Sequence, residues 1–370
     1  MYYFIAIALL LCTFMESILK RSGLRFLIGL PVFLIFFVIQ AYNEWSPDMH
    51  NYQSHFEYID NEIIGRSIEP VHGFLIKAVH SFGGDFSDFI FIYGVLIVVL
   101  LFVNVYYYSP LPIFFLCCYF IVPFFPNIVQ LRFFLAINVF ILGIRFLDKK
   151  NLIFYGLYVL SILCHVSLVV MIPFLFVRRF SFFKNYKKAN WILGISVLVL
   201  LFVPPTIVSP IVNLIAPKFT RYLELVSITR FMGTIALFLP FFALSTFCLW
   251  HYNTKFGTFK HKVSPAILTK IPMMMALIQF SNFTIILQYF ARDFWRLSMN
   301  FSFFSLAYLT ICIYYGWGIK FNELKAFSSK IAIYFYFLFI LYFTFLMLNN
   351  GQYMEIIRRT IESSTLLNTI

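Results

Sequence analysis

The sequence predicts an all-α, polytopic integral membrane protein, and three observations lead to this fold class. The 370-residue chain is 62% hydrophobic and only 12% charged, more apolar surface than a soluble domain of this size hides. Apolar runs such as "FIFIYGVLIVVLLFV" (89–103) recur along the chain, and a membrane-spanning helix needs about 20 such residues. The basic residues cluster between these runs, as is typical of loops facing anionic lipid. The net charge of +13 therefore indicates no nucleic-acid partner.

The apolar runs define the predicted spans in order. The first run, "MYYFIAIALLLCTF", has no basic leader and no small-residue cleavage site, so we interpret it as a span and not a signal peptide. All six cysteines fall in apolar runs with spacings that fit no zinc or disulfide framework. The predicted spans are about 2–19, 26–42, 87–106, 111–125, 131–147, 151–164, 166–177, 190–208, 230–250, 271–290, 297–317 and 331–348.

Orientation follows from five basic clusters, which the positive-inside rule places on the inner side. Residues 151–177 lie between two of them, so one straight span would put the second cluster outside. We therefore predict a hairpin of two short helices, broken near Cys164 and His165. Such a break is tolerated only inside protein or beside a water-filled cavity. The chain is then one membrane-embedded domain, 1–370, with twelve crossings and the tail 349–370 outside. The clusters are 20–25, 145–150, 178–188, 255–270 and 320–330.

The first outer loop, 43–86, gathers the ionisable groups. Eight of the 15 acidic residues and four of the seven histidines lie between positions 44 and 88. Ser46-Pro47 predicts one helix start, with Ser46 as N-cap, and Glu69-Pro70 predicts a second. The second segment ends at Gly83-Gly84 and is too short to span, so we expect it to lie on or dip into the membrane.

Asp48 and Glu69 are the candidate catalytic carboxylates of this loop. From Asp48, the side chains of Tyr52 and His55 follow on one helix face at i+4 and i+7, where they can orient a substrate or tune the carboxylate. The alternative is that each carboxylate only complements a helix dipole. A zinc site built from Asp48, His50, His55 and His72 is a further alternative, but its spacing matches no standard pattern, so we predict no metal.

Arginines at the predicted outer edge are candidate ligands for an anionic substrate. Burying a guanidinium near hydrocarbon costs roughly 2.5 kcal/mol or more, so such residues pair, snorkel or mark a substrate path. Their forked donors match phosphate oxygens. The candidates are Arg132, Arg221, Arg292 and Arg296, of which the last two are four residues apart and share a helix face.

Several motifs in this order resemble the EpsG/Wzy-type family of bacterial polysaccharide polymerases. They are Asp48-x3-Tyr52, Glu69-Pro70, Asn127-x4-Arg132 opening a span, His165-x-Ser167 within the hairpin, and an aromatic-Arg segment at 289–292. The resemblance covers about residues 40–300.

The resemblance implies a glycosyltransferase of the bacterial inner membrane with its active site facing the periplasm. Its partners would be undecaprenyl-diphosphate-linked oligosaccharide repeat units, membrane lipids and a chain-length regulator, and it would need no cofactor. Asp48, Glu69 and His165 would be catalytic, and Asn127 would join the arginines, Tyr52 and His55 in binding substrate.

Two other classes stay open at this point. A flippase or transporter of lipid-linked oligosaccharide would also need outward arginines, although we find no pair of related halves of the kind transporters show. A membrane acyltransferase would use His165 as its base but would leave the carboxylates and arginines without a role.

Overall fold

The computed structural model describes residues 8–9, 11–13, 15–16, 22–61, 64, 68–147, 151–179, 185–202, 228–290, 294–316, 355 and 358–360. Helices dominate this described part, which contains no β-strand, and the predicted all-α polytopic membrane class is confirmed. The helices are α1 (Ser22–Ala41), α2 (Met49–Glu57), α3 (Pro70–Ser81), α4 (Phe86–Tyr108), α5 (Pro112–Tyr119), α6 (Phe125–Ile128), α7 (Leu131–Ile144), α8 (Asn151–Cys164), α9 (Ile172–Val177), α10 (Tyr186–Phe202), α11 (Ile228–Thr254), α12 (Pro265–Leu268), α13 (Ile271–Phe290) and α14 (Trp295–Gly316).

Three stretches within these ranges are long and apolar enough to cross a membrane: Phe86–Tyr108, Pro265–Gln288 and Trp295–Tyr315. Shorter apolar helices include Leu131–Ile144 and Asn151–Cys164. The predicted span 331–348 and most of 2–19 lie outside the described residues.

The predicted span 111–125 is helical but contains a wide turn. Helix α5 ends at Tyr119, the wide helical turn Phe120–Phe124 follows, and α6 continues from Phe125. Pro123 lies inside the turn, and a proline in a helix removes one backbone hydrogen bond and clashes with the preceding turn. The turn therefore widens the helix around this proline.

The chain divides into two compact units, residues 1–171 with 344–370 and residues 172–343. In the first unit, α7 is the central helix, and its side chains from Phe133 to Ile141 are all buried. Asn104 of α4 donates to the backbone carbonyl of Asn138 on α7 at 2.9 Å. Helices α1 and α4 approach closely at Gly94, where a Cβ atom would lie 2.5 Å from the Cα atom of Ala41.

In the second unit, amide and hydroxyl side chains join the helices. Gln279 on α13 donates to Asn190 on α10 at 3.0 Å, and Ser245 on α11 bonds to Asn282 on α13. Hydrogen bonds of this kind hold helices together in lipid, where the hydrophobic effect contributes little.

The 151–171 segment folds back on itself at the predicted break. Helix α8 ends at Cys164, and a 3₁₀ segment, Val166–Met171, follows His165. The hydroxyl of Tyr158 donates to the carbonyl oxygen of Leu168 at 2.9 Å. Ten residues of straight helix would separate the two backbones by about 15 Å, too far for one tyrosine side chain to reach. The break near Cys164 and His165 is therefore confirmed.

The C-terminal part of the chain contacts the first outer loop within the first unit. The guanidinium carbon of Arg359 lies 5.1 Å from the ring centroid of Trp45.

The two predicted helix starts of the 43–86 loop had different outcomes. Helix α3 begins at Pro70 after Glu69, as predicted, and ends before Gly83, whose φ of +73° favours glycine. Helix α2 begins at Met49, so the prediction that Ser46 is its N-cap is wrong. The amide of Met49 bonds to the carbonyl of Ser46 at 3.0 Å. Because of this turn, α2 begins only at Met49, and Asp48 occupies the N-cap position.

Candidate active site

The first unit joins Glu69 and Arg132, which are 63 residues apart in the sequence. Glu69 is the N-cap residue of α3, and its side chain makes no capping hydrogen bond. Arg132 lies in the first turn of α7, where its Nη1 group donates to Oε2 of Glu69. The side chain of Arg132 is 23% exposed, and that of Glu69 is 17% exposed. The ion pair is therefore shielded from bulk water, yet a ligand can reach it.

The aromatic ring of Tyr52 lies beside this ion pair. It is only 2% exposed, and the guanidinium carbon of Arg132 lies 5.5 Å from its ring centroid, within the range of a cation–π contact. Its hydroxyl makes a long hydrogen bond of 3.4 Å to the carbonyl oxygen of Val129. Burial raises the pKa of Tyr52 to about 12, so the phenol keeps its proton at neutral pH.

Asp48 and His55 flank Tyr52 on the same side of α2, as the helical spacing predicts. Both side chains are half-buried. Asp48 interacts electrostatically with Tyr52 and, although it holds the N-cap position, makes no capping hydrogen bond with its side chain. The ring of His55 meets the ring of His72 edge-on, with centroids 5.7 Å apart.

The ring of His72 packs against the ring of Tyr52, and the residue is fully buried. Its Nδ1 atom is 3.0 Å from the hydroxyl of Tyr93 on α4, and its ring centroid is 5.7 Å from that of Tyr52. Its Nε2 atom finds no hydrogen-bond partner among the described residues. The pKa of His72 lies well below the usual value, chiefly because burial penalises the charged imidazolium. Sequence reasoning gave His72 a role only as a zinc ligand, since its burial cannot be deduced from the motif around it.

The hairpin break reaches the same region. His165 follows the end of α8, and its Nδ1 atom is 2.8 Å from the hydroxyl oxygen of Ser167. Its ring meets Phe133 edge-on, with centroids 5.5 Å apart, and Phe133 directly follows Arg132. Cys164 interacts electrostatically with Glu69. The break therefore lies beside the first turn of α7 and adjacent to the ion pair.

The structure places Asn127 in the interior. It is 1% exposed, and its side-chain amide donates to the hydroxyl of Tyr119 at 3.2 Å. The backbone carbonyl oxygen of Asn127 accepts a hydrogen bond from the backbone amide of Gln130 at 2.9 Å. Asn127 thereby holds the bend that leads into α7 and to Arg132.

The remaining candidates lie elsewhere. Arg296 is half-buried in the first turn of α14, in the second unit. Arg221 and Arg292 lie outside the described residues. At the end of the 43–86 loop, Asp85 and the first-turn residue Asp88 cap the start of α4 reciprocally, each accepting a backbone amide at 3.0 Å, so these two carboxylates have a structural task.

No group of three or more His, Cys, Asp or Glu side chains suited to a metal ion occurs within the described ranges. The four residues weighed as zinc ligands all lie in those ranges and form no such group. The candidate site is thus an ion pair lined by tyrosine and histidine rings.

The fold and this cluster define a helical membrane protein with charged groups at one end of its central helix. A model of the EpsG family matches residues 24–357, most of the chain, and the protein therefore belongs to that family, which is of polysaccharide-polymerase type. The resemblance seen in the motifs is confirmed. No curated protein and no solved structure matches the chain.

Proposed function

We propose that this protein is a glycosyltransferase that joins undecaprenyl-diphosphate-linked oligosaccharide repeat units on the outer face of the bacterial inner membrane. The observation that carries the proposal is the ion pair of Glu69 with Arg132, beside Tyr52, in a chain of the EpsG family. A partly exposed guanidinium at the start of a helix is a favourable place for a diphosphate, because the helix dipole and the forked donors both attract anions.

The reaction needs two groups with opposite tasks. A hydroxyl of one repeat unit attacks the anomeric carbon of the sugar attached to the other carrier. The new carbon–oxygen bond forms, the bond from that carbon to the diphosphate breaks, and the diphosphate leaves with the electron pair. A carboxylate accepts the hydroxyl proton, and Arg132 stabilises the charge that develops on the leaving diphosphate.

We propose that the two carboxylates have different tasks. In a single displacement, the attacking hydroxyl and the leaving group lie on opposite faces of the sugar, so their catalytic groups are well separated. Glu69 touches Arg132, which puts it on the leaving-group side. We assign Glu69 the task of orienting the guanidinium. We assign the role of base to Asp48, which interacts electrostatically with Tyr52.

The first test separates a polymerase from a flippase in a strain that lacks this protein. Loss of a polymerase leaves single repeat units on their lipid anchor at the outer face, whereas loss of a flippase leaves none there. We expect single units without long chains. A strain with normal chains, or with no units outside, would contradict the proposal.

The second test compares Asp48→Asn with Glu69→Gln. Asp48→Asn removes the base, so we expect only single units. Glu69→Gln keeps an oxygen that accepts from Arg132, so we expect short chains at a reduced rate. Asp60→Asn, an exposed carboxylate of the same loop, is the matched control and should leave chain growth unchanged. Long chains in both Asp48→Asn and Glu69→Gln would exclude this cluster as the active site.

A further inference from the structure

The contacts around the ion pair form a closed circuit. Glu69 binds Arg132, the guanidinium of Arg132 faces the ring of Tyr52, and that ring packs against His72. His72 lies one helical turn after Glu69 on α3, which closes the circuit. Helices α2, α3 and α7 are thus fixed to one another by four side chains.

His72 is the residue of this circuit that anchors it to the membrane-spanning part. Its Nδ1 atom bonds to Tyr93, a buried residue of α4. The groups that face it are Tyr52 and His55 from α2, Tyr93 and Phe89 from α4, and Arg132 from α7. A second positive charge at this position would repel Arg132, which agrees with the direction in which the His72 pKa is shifted.

We propose that His72 is a positioning residue, which fixes Tyr52 and, through Tyr52, the guanidinium of Arg132 for the leaving diphosphate. The inference rests on the proposed function. His72 does not touch the substrate, since it is fully buried. A displaced guanidinium weakens stabilisation of the leaving group more than it weakens binding of the rest of the lipid-linked substrate. The effect of replacing His72 therefore falls on kcat.

The test uses full-length protein in liposomes supplied with undecaprenyl-diphosphate-linked repeat units. His72→Leu removes the ring and the hydrogen bond. We expect kcat to fall by up to roughly tenfold, the loss expected when Tyr52 itself is removed, with little change in KM. His72→Asn should recover most of the rate, because its side-chain amide can occupy the place of Nδ1 opposite Tyr93. His80→Asn, an exposed histidine on the same helix, is the control. A wild-type kcat in His72→Leu would overturn the inference.

A double variant distinguishes positioning from general destabilisation. If His72 acts through Arg132, the effect of His72→Leu should nearly vanish in the Arg132→Lys background, because coupled residues are not additive. Independent losses that multiply would overturn the inference. Tyr93→Phe is the milder probe, since it removes only the hydroxyl, and it should lower kcat severalfold; an unchanged kcat would count against His72 as well.

These outcomes can be told apart from failure of the proposed function. If Asp48→Asn and Arg132→Lys lose chain growth as expected while His72→Leu keeps the wild-type kcat, only the inference about His72 fails. If Asp48→Asn and Arg132→Lys build long chains, the proposed active site itself fails.

Discussion

The protein contains the same buried histidine–tyrosine pair in both of its compact units, in different surroundings. In the first unit, Nδ1 of His72 is 3.0 Å from the hydroxyl of Tyr93; in the second, Nδ1 of His251 is 3.0 Å from the hydroxyl of Tyr308. Both histidines are buried, and neither Nε2 atom has a hydrogen-bond partner among the described residues. The local pair is therefore the same unit of packing in both places.

The side chains that surround the two histidines differ. The ring contacts of His251 include Phe247 and Phe259, and the thiol of Cys312 lies 3.6 Å from its Nδ1 atom. His72 instead contacts Tyr52, which faces the guanidinium of an ion pair. A histidine–tyrosine pair alone thus indicates helix packing, and the link to an accessible ion pair is what indicates a site. His251→Leu is consequently the natural counterpart of His72→Leu: it should lower the amount of folded protein but not the kcat of the protein that folds.

The largest effect is expected for Arg132→Lys. Lysine keeps the charge and loses the forked donors that hold both Glu69 and a diphosphate. We expect chain growth to fall about 100-fold or more, as when one donor to a developing anion is removed, at unchanged protein levels. Arg145→Lys is the control at the other end of α7, where the guanidinium donates to the carbonyl oxygen of Val103 at 2.7 Å. Equal losses in both variants would show that arginine at α7 is needed only for folding.

Replacing Tyr52 should have a smaller effect. Tyr52→Leu removes the ring between His72 and Arg132, and a cation–π contact of about 1 kcal/mol or somewhat more corresponds to roughly tenfold in rate. Tyr52→Phe keeps the ring but removes the hydroxyl, which makes a long hydrogen bond to Val129 and also interacts with Arg132, so its loss of rate should be smaller than that of Tyr52→Leu. The initial rate of chain growth in liposomes measures both. A large loss in Tyr52→Phe would instead assign the hydroxyl a direct part in the reaction.

The titration of His72 gives a prediction for stability. Unfolded His72 takes up a proton as the pH falls below about 6.5, whereas buried His72 resists protonation because its pKa is lowered. Its contribution to stability is therefore complete above that pH and decreases below it, by at most about 1.4 kcal/mol per pH unit. We expect the melting temperature in detergent to fall less steeply from pH 7 to 5.5 in His72→Asn than in the wild type. Equal slopes would show that His72 carries no such shift.

The smallest effect is expected at His165. Its hydrogen bond to Ser167 is local to the hairpin break, and asparagine can replace it at a break in a helix. Chain growth by His165→Asn should stay within about twofold of the wild type. A complete loss, with normal protein levels, would give His165 the catalytic role that the motif resemblance implies.

Sequence reasoning predicted helix ends correctly where the charge pattern or a single residue determines them. The end of α8 at Cys164 and the start of α3 at Pro70 follow from charge balance and from a proline at the first helical position. The same proline signal failed at Pro47, because a turn between Ser46 and Met49 competes with the helix. Local patterns do not determine which of two such conformations is more stable.

The site was predicted as separate residues and not as an arrangement. Glu69 and Arg132 were both singled out, yet their ion pair depends on how α3 packs beside α7, which no short motif encodes. The carboxylate of Glu69 meets a guanidinium that lies 63 residues further along the chain. His72 and Tyr93 were not recognised as partners, since a histidine in an apolar helix gives no sign of its contact on another helix.

The most direct test of the central claim is to count the products of the purified protein in liposomes. Each glycosidic bond formed by the proposed reaction releases one undecaprenyl diphosphate. The wild type should release one lipid diphosphate for each bond, Asp48→Asn should lose both products together, and Asp60→Asn should match the wild type. Chain growth without lipid diphosphate release, or undiminished release by Asp48→Asn, would contradict the account.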